Sequence, residues 1–285
     1  MPELPEVETI ACRLRPDLVG RRILQLEARW PKSLWPSPEA VRACEGRQVH
    51  RVDRRGKHLL LGLSGGSWLA IHLRMSGRME WAGPHLPEPR HARTLWHLDD
   101  GRCLVMADAR KFGRVIFTQD LAGTFVDLGP EPLGDGLTPA VFAARLQARD
   151  RAIKPLLLDQ TFLAGLGNIY TDEALFRARL HPLTPASALT RAEATALLTA
   201  IREVLREGIA HCGTSLDWIY PDGRMQEFLR VYGRAGAPCT ACGAPIVRAV
   251  LGQRGTWTCP RCQPEPGVSG YSPRHALPAR RTRPP

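Results

Sequence analysis

The sequence predicts an α+β fold: an N-terminal β-sandwich domain with a flanking helix, a helical middle segment and a small cysteine-stapled hairpin near the C-terminus. Three observations lead there. Between about 22 and 118, short apolar or alternating runs (RRILQLEA, LLLGLSGG, SWLAIHLRM, TLWHLDDGRCLVMA, RVIFT) are separated by Gly, Pro and Asp, the spacing of a sandwich or barrel. From about 138 to 213 the apolar residues return at helical intervals. Cys239, Cys242, Cys259 and Cys262 form two C-x2-C pairs with 16 residues between them. A chain of 285 residues has room for about two domains.

The elements follow in order. Residues 4 to about 19 read as a helix, with Pro5 at a first helical position and Val7, Ile10, Leu14 and Leu18 on one face. The strand region comes next, and Asp100-Gly101 is a hairpin turn signal. LGPEPLGDG at 128–136 is a Pro/Gly-rich break, which sets the first domain at 1–131. Thr138-Pro139 opens one helix. Lys154 to Gln160 and Ile169 to Leu180 form two more, flanking the loop LAGLG. Thr190 and Glu193 make a capping box for a long helix ending near Gly213. The helical segment spans 132–228, and the four-cysteine element 229–263. The tail, 264–285, is rich in Pro and Arg without a core pattern, the composition of a disordered segment.

Lys and Arg number 39 against 28 Asp and Glu, a formal charge of +11 with a pI near 9.8. That balance suits a polyanion, and without a basic amphipathic anchor nucleic acid is favoured over a membrane surface. No window approaches the roughly 18 apolar residues of a membrane helix, and the acidic start MPELPEVETI is no secretory signal. The expected compartment is the cytoplasm. There, two C-x2-C knuckles read as a tetrahedral structural zinc site rather than as disulfides. Cys12, Cys44, Cys103 and Cys212 read as buried small hydrophobes.

Several segments carry chemistry. Methionine before a small residue such as Pro2 is normally trimmed, which leaves a secondary amine that titrates nearer neutrality than lysine. Such an amine attacks a sugar C1′ or a carbonyl and forms a Schiff base. Glu3 and Glu6 lie beside it as candidate general acids or bases; ordinary helix-start residues are the plain alternative. RRGKHLL at 54–60 places Arg54, Arg55 and Lys57 at a strand start, where Lys57 could point into a cleft; a solvated basic edge is the alternative. HLRMSGR at 72–78 and DARKFGR at 108–114 interleave basic residues with Met75 and Phe112. Apolar side chains beside an arginine fill the gap that base flipping leaves in a duplex; core plus surface is the alternative. LAGLGNIY at 163–170 leads into a helix at Asn168, a candidate phosphate site. Arg254 and Thr256 sit between the cysteine pairs, where a metal-held hairpin presents Arg254 to a phosphate.

Taken together these segments resemble the formamidopyrimidine-DNA glycosylase / endonuclease VIII family of base-excision repair. The resemblance runs in order from residue 1 to about 263. It rests on MPELPEVET, RRGKHLLL, HLRMSGR, DARKFGR, LGPEPL, IKPLLLDQ, LAGLGNIYTDEALF, HP at 181–182, VYGRAGAPC and RGTWTCPRCQ. MPELPEVET, with Arg110 and Phe112, looks like the formamidopyrimidine branch.

The resemblance implies a helix-two-turn-helix motif within 132–228 and a bifunctional DNA glycosylase and AP lyase. Such an enzyme acts as a monomer on damaged double-stranded DNA, with one structural zinc ion. It implies Pro2 as nucleophile, Glu3 as proton donor and acceptor, Lys57 in β-elimination and Arg254 in δ-elimination. His91, Arg110, Arg149 and Asn168 match DNA-contact positions. Met75, Arg110 and Phe112 would fill the void left by the flipped nucleotide.

There are two departures. Ala109-Arg110-Lys111-Phe112-Gly113 replaces the frequent Pro-Arg-Arg-Phe-Gly, with charge kept. Residues 213–230 are shorter than usual and lack the Gly-aromatic-Phe-Gln piece of the loop over 8-oxoguanine. Ring-opened purines or oxidised pyrimidines thus stand beside 8-oxoguanine as preferred lesions. An endonuclease VIII-like enzyme and a non-catalytic zinc-ribbon DNA-binding protein are the alternative readings.

Overall fold

The computed structural model describes residues 1–215 and 223–267. The chain divides into two compact units. One is Met1–Asp127 with Gly208–Gln226, the other Leu128–Glu207 with the segment from Glu227 onward. Residues 208–215 and 223–226, assigned by sequence to the middle segment, therefore pack with the N-terminal unit.

The first unit is a two-sheet sandwich. One sheet has the order β1-β7-β8-β6, all antiparallel, from Ile23–Ala28, Ala92–Leu98, Cys103–Asp108 and Gly77–Ala82. The other has the order β2-β9-β5-β4-β3, from Leu34–Trp35, Arg114–Thr118, Ser67–His72, His58–Leu63 and Val49–Arg55, with only β2–β9 parallel. Alternate residues of the strands face inward. Leu26, Trp96, Leu104 and Met106 of the first sheet share one core with Val52, Leu59, Leu61, Leu69 and Ile71 of the second. Helix α1 (Leu4–Leu18) adds Val7, Ile10, Leu14 and Leu18 to that core, the face its periodicity predicts. The Asp100-Gly101 turn joins β7 to β8 with Gly101 at φ +81°. Short helix α2 (Pro38–Arg42) lies between β2 and β3, and α3 (Leu121–Thr124) follows β9.

The second unit holds α4 (Pro139–Gln147), α5 (Ile153–Leu157), α6 (Asn168–Arg177) and α7 (Arg191–Ala210), whose last turn falls beyond the unit boundary. Thr138 caps α4 by accepting from the Val141 amide at 3.3 Å. The capping box of α7 is present, with the Thr190 amide donating to Glu193 Oε2 at 2.9 Å and the Glu193 amide to Thr190 Oγ1 at 3.2 Å. The ribbon closes with the antiparallel hairpin β10 (Val247–Leu251) and β11 (Arg254–Thr258).

Two expectations change. Arg54 and Arg55 end β3 instead of opening a strand, and Lys57 lies in the turn before β4. Among the single cysteines, Cys44 and Cys103 are buried, but Cys12 is exposed and Cys212 half-buried, because Cys12 falls on the outer face of α1. The tail beyond 267 lies outside the described residues.

The break at 128–136 is tightly built. The Gly129 amide donates to Gln160 O at 2.8 Å, and a Cβ there would meet Thr161 O and Phe162 C at 2.7 Å. Both neighbours are backbone and cannot swing away. Gly129→Ala should therefore cost about 1–3 kcal/mol. A thermal melt lowered by several degrees checks this, and an unchanged midpoint contradicts it.

Candidate functional site

The start of α1 sets the first cluster. Pro2 is buried, Glu3 is the N-cap residue at 3% exposure, and Glu6 is buried two residues into the helix. Glu6 is fully engaged. Its Oε2 accepts from the Glu3 amide at 2.8 Å, and its Oε1 from the Thr214 amide at 2.7 Å and the Thr214 hydroxyl at 3.2 Å. Gly213, at φ +77°, passes so close that a Cβ would lie 2.7 Å from Glu6 Oε1. Of the two acids read as candidates, Glu6 is thus a structural clamp on the 213–214 segment, and Glu3 is the carboxylate next to Pro2 in sequence. The helix N-terminus favours negative charge at this point.

Lys57 sits in the β3–β4 turn made by Gly56 (φ +57°) and is 6% exposed. Beside it, on β4 and β5, the His58 and His72 rings meet edge to face at 4.6 Å, and His58 meets Phe125 at 4.9 Å. Burial pushes His58 down to about 4 and His72 to about 2. The charge of Arg74 adds to this for both rings, and that of Lys57 for His72. Arg54 turns back to Glu8, with Nε 2.9 Å from Oε2.

Three turns of the same unit carry the residues read as DNA contacts. Met75 and Phe112 are 44% and 47% exposed, so neither belongs to the sandwich core. The Arg110 guanidinium lies over the Phe112 ring at 5.0 Å. His91 is exposed with φ +66°. Asp108, buried at the end of β8, accepts hydrogen bonds from two of these turns. Sequence reading passed over it as part of a basic stretch.

In the second unit, Asn168 opens α6 and its Nδ2 donates to Gly255 O at 2.9 Å. Lys154 and Asp172, both without side-chain exposure, pair at 2.6 Å. The Lys154 ammonium also donates to Gly255 O and Thr256 Oγ1, each at 2.9 Å, and Asp172 Oδ2 accepts from the Trp257 amide at 3.1 Å. Burial drives the Asp172 carboxyl upward against the pull of Lys154. Three side chains, through four hydrogen bonds, thus fix the strand that Arg254 begins, while Arg254 itself is exposed. Arg149, also exposed, follows the end of α4 and no interaction in the second unit joins it to that cluster among the described residues. The sequence signal for Lys154 and Asp172 was only their place in IKPLLLDQ and NIYTDEALF.

The four ribbon thiols converge, all within 4.8 Å of one another. Cys239 Sγ is 3.9 Å from Cys262 Sγ, and Cys242 Sγ 3.4 Å from Cys259 Sγ. These separations are too long for disulfides, at about 2 Å, and near the edge of a tetrahedron with zinc–sulfur bonds of about 2.3 Å. The Ala241 and Cys262 amides each point at a knuckle sulfur at 3.4 Å, which stabilises thiolate. The donor set fits one structural zinc.

Residues 1–115 match the formamidopyrimidine-DNA glycosylase N-terminal domain, 128–218 the H2TH domain of the same enzymes, and 236–264 the zinc finger found in FPG and IleRS. The formamidopyrimidine-DNA glycosylase of Chloroflexus aurantiacus is 49% identical over 92% of this chain and 98% of its own. That of Symbiobacterium thermophilum is 46% identical over 99% and 95%. A structure of MutM in complex with DNA containing carbocyclic 8-oxo-G superposes with a TM-score of 0.87 at 35% identity, over 93% of this chain and all of that one. The Lactococcus lactis FPG (MutM) complex with FAPY-dG DNA gives the same score and identity over 92% of this chain. The chain belongs to the formamidopyrimidine-DNA glycosylase family.

Two outcomes follow. The unfolded chain protonates histidine near 6.5, while folded His58 waits until about 4. Stability from the neutral pair is therefore whole above pH 6.5 and is lost as pH falls toward 4. His58→Phe should reduce the acid-side slope by about 1.4 kcal/mol per pH unit, read from melts across that range; parallel curves for both proteins would refute it. Separately, Cys239→Ser or Cys262→Ser should release zinc and unfold the ribbon, whose own core is small. Metal analysis checks this, and gently purified wild type with well under about one zinc per chain contradicts it.

Proposed function

We propose that the protein is a DNA glycosylase and AP lyase of base-excision repair. It removes oxidised purines, formamidopyrimidines and 8-oxoguanine, from damaged double-stranded DNA, and it works as a monomer. The observation that carries the reading is the Pro2–Glu3 start of α1, beneath a family likeness that spans the chain. A non-catalytic binder has no use for the secondary amine that trimming of Met1 leaves on Pro2, next to a buried acid.

With Met1 removed, the Pro2 nitrogen attacks C1′ of the lesion nucleotide, the C1′–base bond breaks with its electron pair going to the base, and the departing base takes up the proton that the nitrogen sheds. Glu3 delivers a proton to the ring oxygen, the sugar opens, and the nitrogen lone pair forms the iminium. Loss of the C2′ proton and of the 3′ phosphate is the β-elimination, which Lys57 serves; Arg254 grips the phosphate in the δ-elimination that follows. His91, Arg149 and Asn168 contact the strand. Met75, Arg110 and Phe112 enter the stack where the lesion left it, and Arg110 can donate to the orphan base. Zinc supplies structure and no chemistry.

The relatives' complexes with carbocyclic 8-oxo-G and FAPY-dG DNA support purine lesions as substrates. The short 213–230 stretch, the ground for the pyrimidine alternative, includes 216–222, outside the described residues. The cytoplasm, where ribbon thiols stay reduced, is the compartment we assign.

Borohydride tests the reading. It should trap a covalent adduct between Pro2 and lesion-bearing DNA, and Pro2→Gly, with a primary amine, should mostly lose base removal. Absence of any adduct on damaged or abasic DNA defeats the enzyme reading in favour of the binder.

A further inference from the structure

The turns that carry Met75, His91, Arg110 and Phe112 meet at one residue to which the chemistry assigns no part. Asp108 ends β8 at 1% exposure. Its Oδ2 accepts from the Gly113 amide at 2.7 Å, and its Oδ1 from the Arg110 amide at 3.2 Å and from the Ser76 hydroxyl. The Arg110 amide lies equally 3.2 Å from Ser76 Oγ. The main chain of Asp108 reaches the third turn: its amide donates to His91 O at 2.9 Å, and its carbonyl accepts from Arg93 Nε at 2.8 Å.

These turns are conformationally unusual. Each holds a non-glycine residue in the left-handed region: Arg74 at φ 55°, His91 at 66° and Lys111 at 61°. Such residues persist only where their surroundings over-determine them. The turns are also closely packed. A Cβ on Gly77 would lie 2.4 Å from Leu73 O, and one on Gly113 3.2 Å from Asp108 Oδ2. Met75 and Phe112, half-exposed, have little packing of their own to fix their direction. Their aim is set by the backbone beneath them.

We propose that Asp108 is a positioning residue that holds the three turns in one register, so that Met75, Arg110 and Phe112 enter a duplex together. The inference rests on the DNA-inserting role assigned above. Asp108 touches no substrate in this scheme; it acts through Ser76, Arg110, Gly113 and the His91–Arg93 turn. A buried carboxylate suits the task because its two oxygens satisfy several backbone donors at fixed angles.

The test uses two substrates. One is a duplex with 8-oxoguanine opposite cytosine. The other is a single strand with an abasic site, whose sugar is already exposed. Asp108→Ala should slow duplex cleavage about a hundredfold, as misplacement of a positioning group does. Ser76→Ala, which removes one strut, should slow it about tenfold, with single-strand trapping by borohydride within about twofold of wild type for both. Asp108→Asn keeps an acceptor for Ser76 and Arg110 but presents a donor to Gly113, and should fall between Asp108→Ala and wild type. Equal losses on both substrates, or no duplex loss in a folded variant, overturn the proposal. If Asp108→Ala fails to fold, Ser76→Ala and Arg93→Met decide by the same ratio. A wild type that forms no adduct on either substrate refutes the glycosylase–lyase reading itself, an outcome distinct from failure of the positioning role.

Discussion

The Lys154–Asp172 pair is the interaction on which the second unit is organised. Both side chains are fully withdrawn from water, and removing two charges from solvent costs several kcal/mol for each ion before their attraction is counted. The pair is tolerable because it is not alone. Gly255 O, Thr256 Oγ1 and the Trp257 amide complete it with hydrogen bonds. All three belong to β11, more than eighty residues away in sequence. The charges are satisfied only when the hairpin is docked, so the ion pair functions as a registration device, with undocking leaving an unpaired buried charge. Arg254, at the head of that strand, inherits its position from this arrangement.

The neighbouring acid repeats the logic. Glu173, 4% exposed, accepts from the amides of Arg230, Val231 and Tyr232 at 2.9, 2.9 and 2.8 Å. Two consecutive acids of α6 therefore hold the two ends of the ribbon, Asp172 the hairpin and Glu173 the lead-in. Phe176, one turn on, contributes to the core that contains Cys239 and Cys259. In the first unit Glu6 and Asp108 do the same for the 213–214 segment and for the exposed turns. The common element is a buried carboxylate that accepts from main-chain donors, in distant segments for Glu6, Asp172 and Glu173 and in its own turn, together with the Ser76 hydroxyl, for Asp108. A backbone amide is lost only by substitution to proline, so this kind of tether constrains chiefly the acid and the glycines that let the loop approach, as at Gly213 and Gly113.

Legibility in the sequence follows from the range of the interaction. Local signals were readable: the apolar face of α1, the Thr190–Glu193 capping box, the Asp100-Gly101 turn and the cysteine spacing all depend on residues a few positions apart. Strands β3 and β6 were harder. HRVDRR and RMEW expose polar side chains on one face and bury few apolar ones, so their alternation carries little hydrophobic contrast. The site divided similarly. Pro2, Glu3, Lys57, Met75 and Phe112 were nominated by motif, and the exposure of the last two argues against a core role that composition alone permits. Asp108, Lys154 and Asp172 escaped notice because a charged residue in a basic or helical stretch looks like surface. Only tertiary structure reveals that Lys154 and Asp172 find their partners elsewhere in the chain and that Asp108 is buried.

This division explains why the ribbon needs both metal and ion pair. Zinc holds its four sulfurs together but exerts no control over where the ribbon rests. Its ligands sit on two knuckles, whereas Arg254 lies at the far end of the hairpin, beside the two-residue turn at Gly252 and Gln253. A hairpin end anchored only through its knuckles would pivot. The contacts of Lys154 and Asn168 fall on Gly255, directly after Arg254, where a small rotation would displace the guanidinium most. Metal therefore determines the ribbon's internal fold, the buried charges determine its placement on α5 and α6, and the phosphate-gripping role assigned to Arg254 requires both.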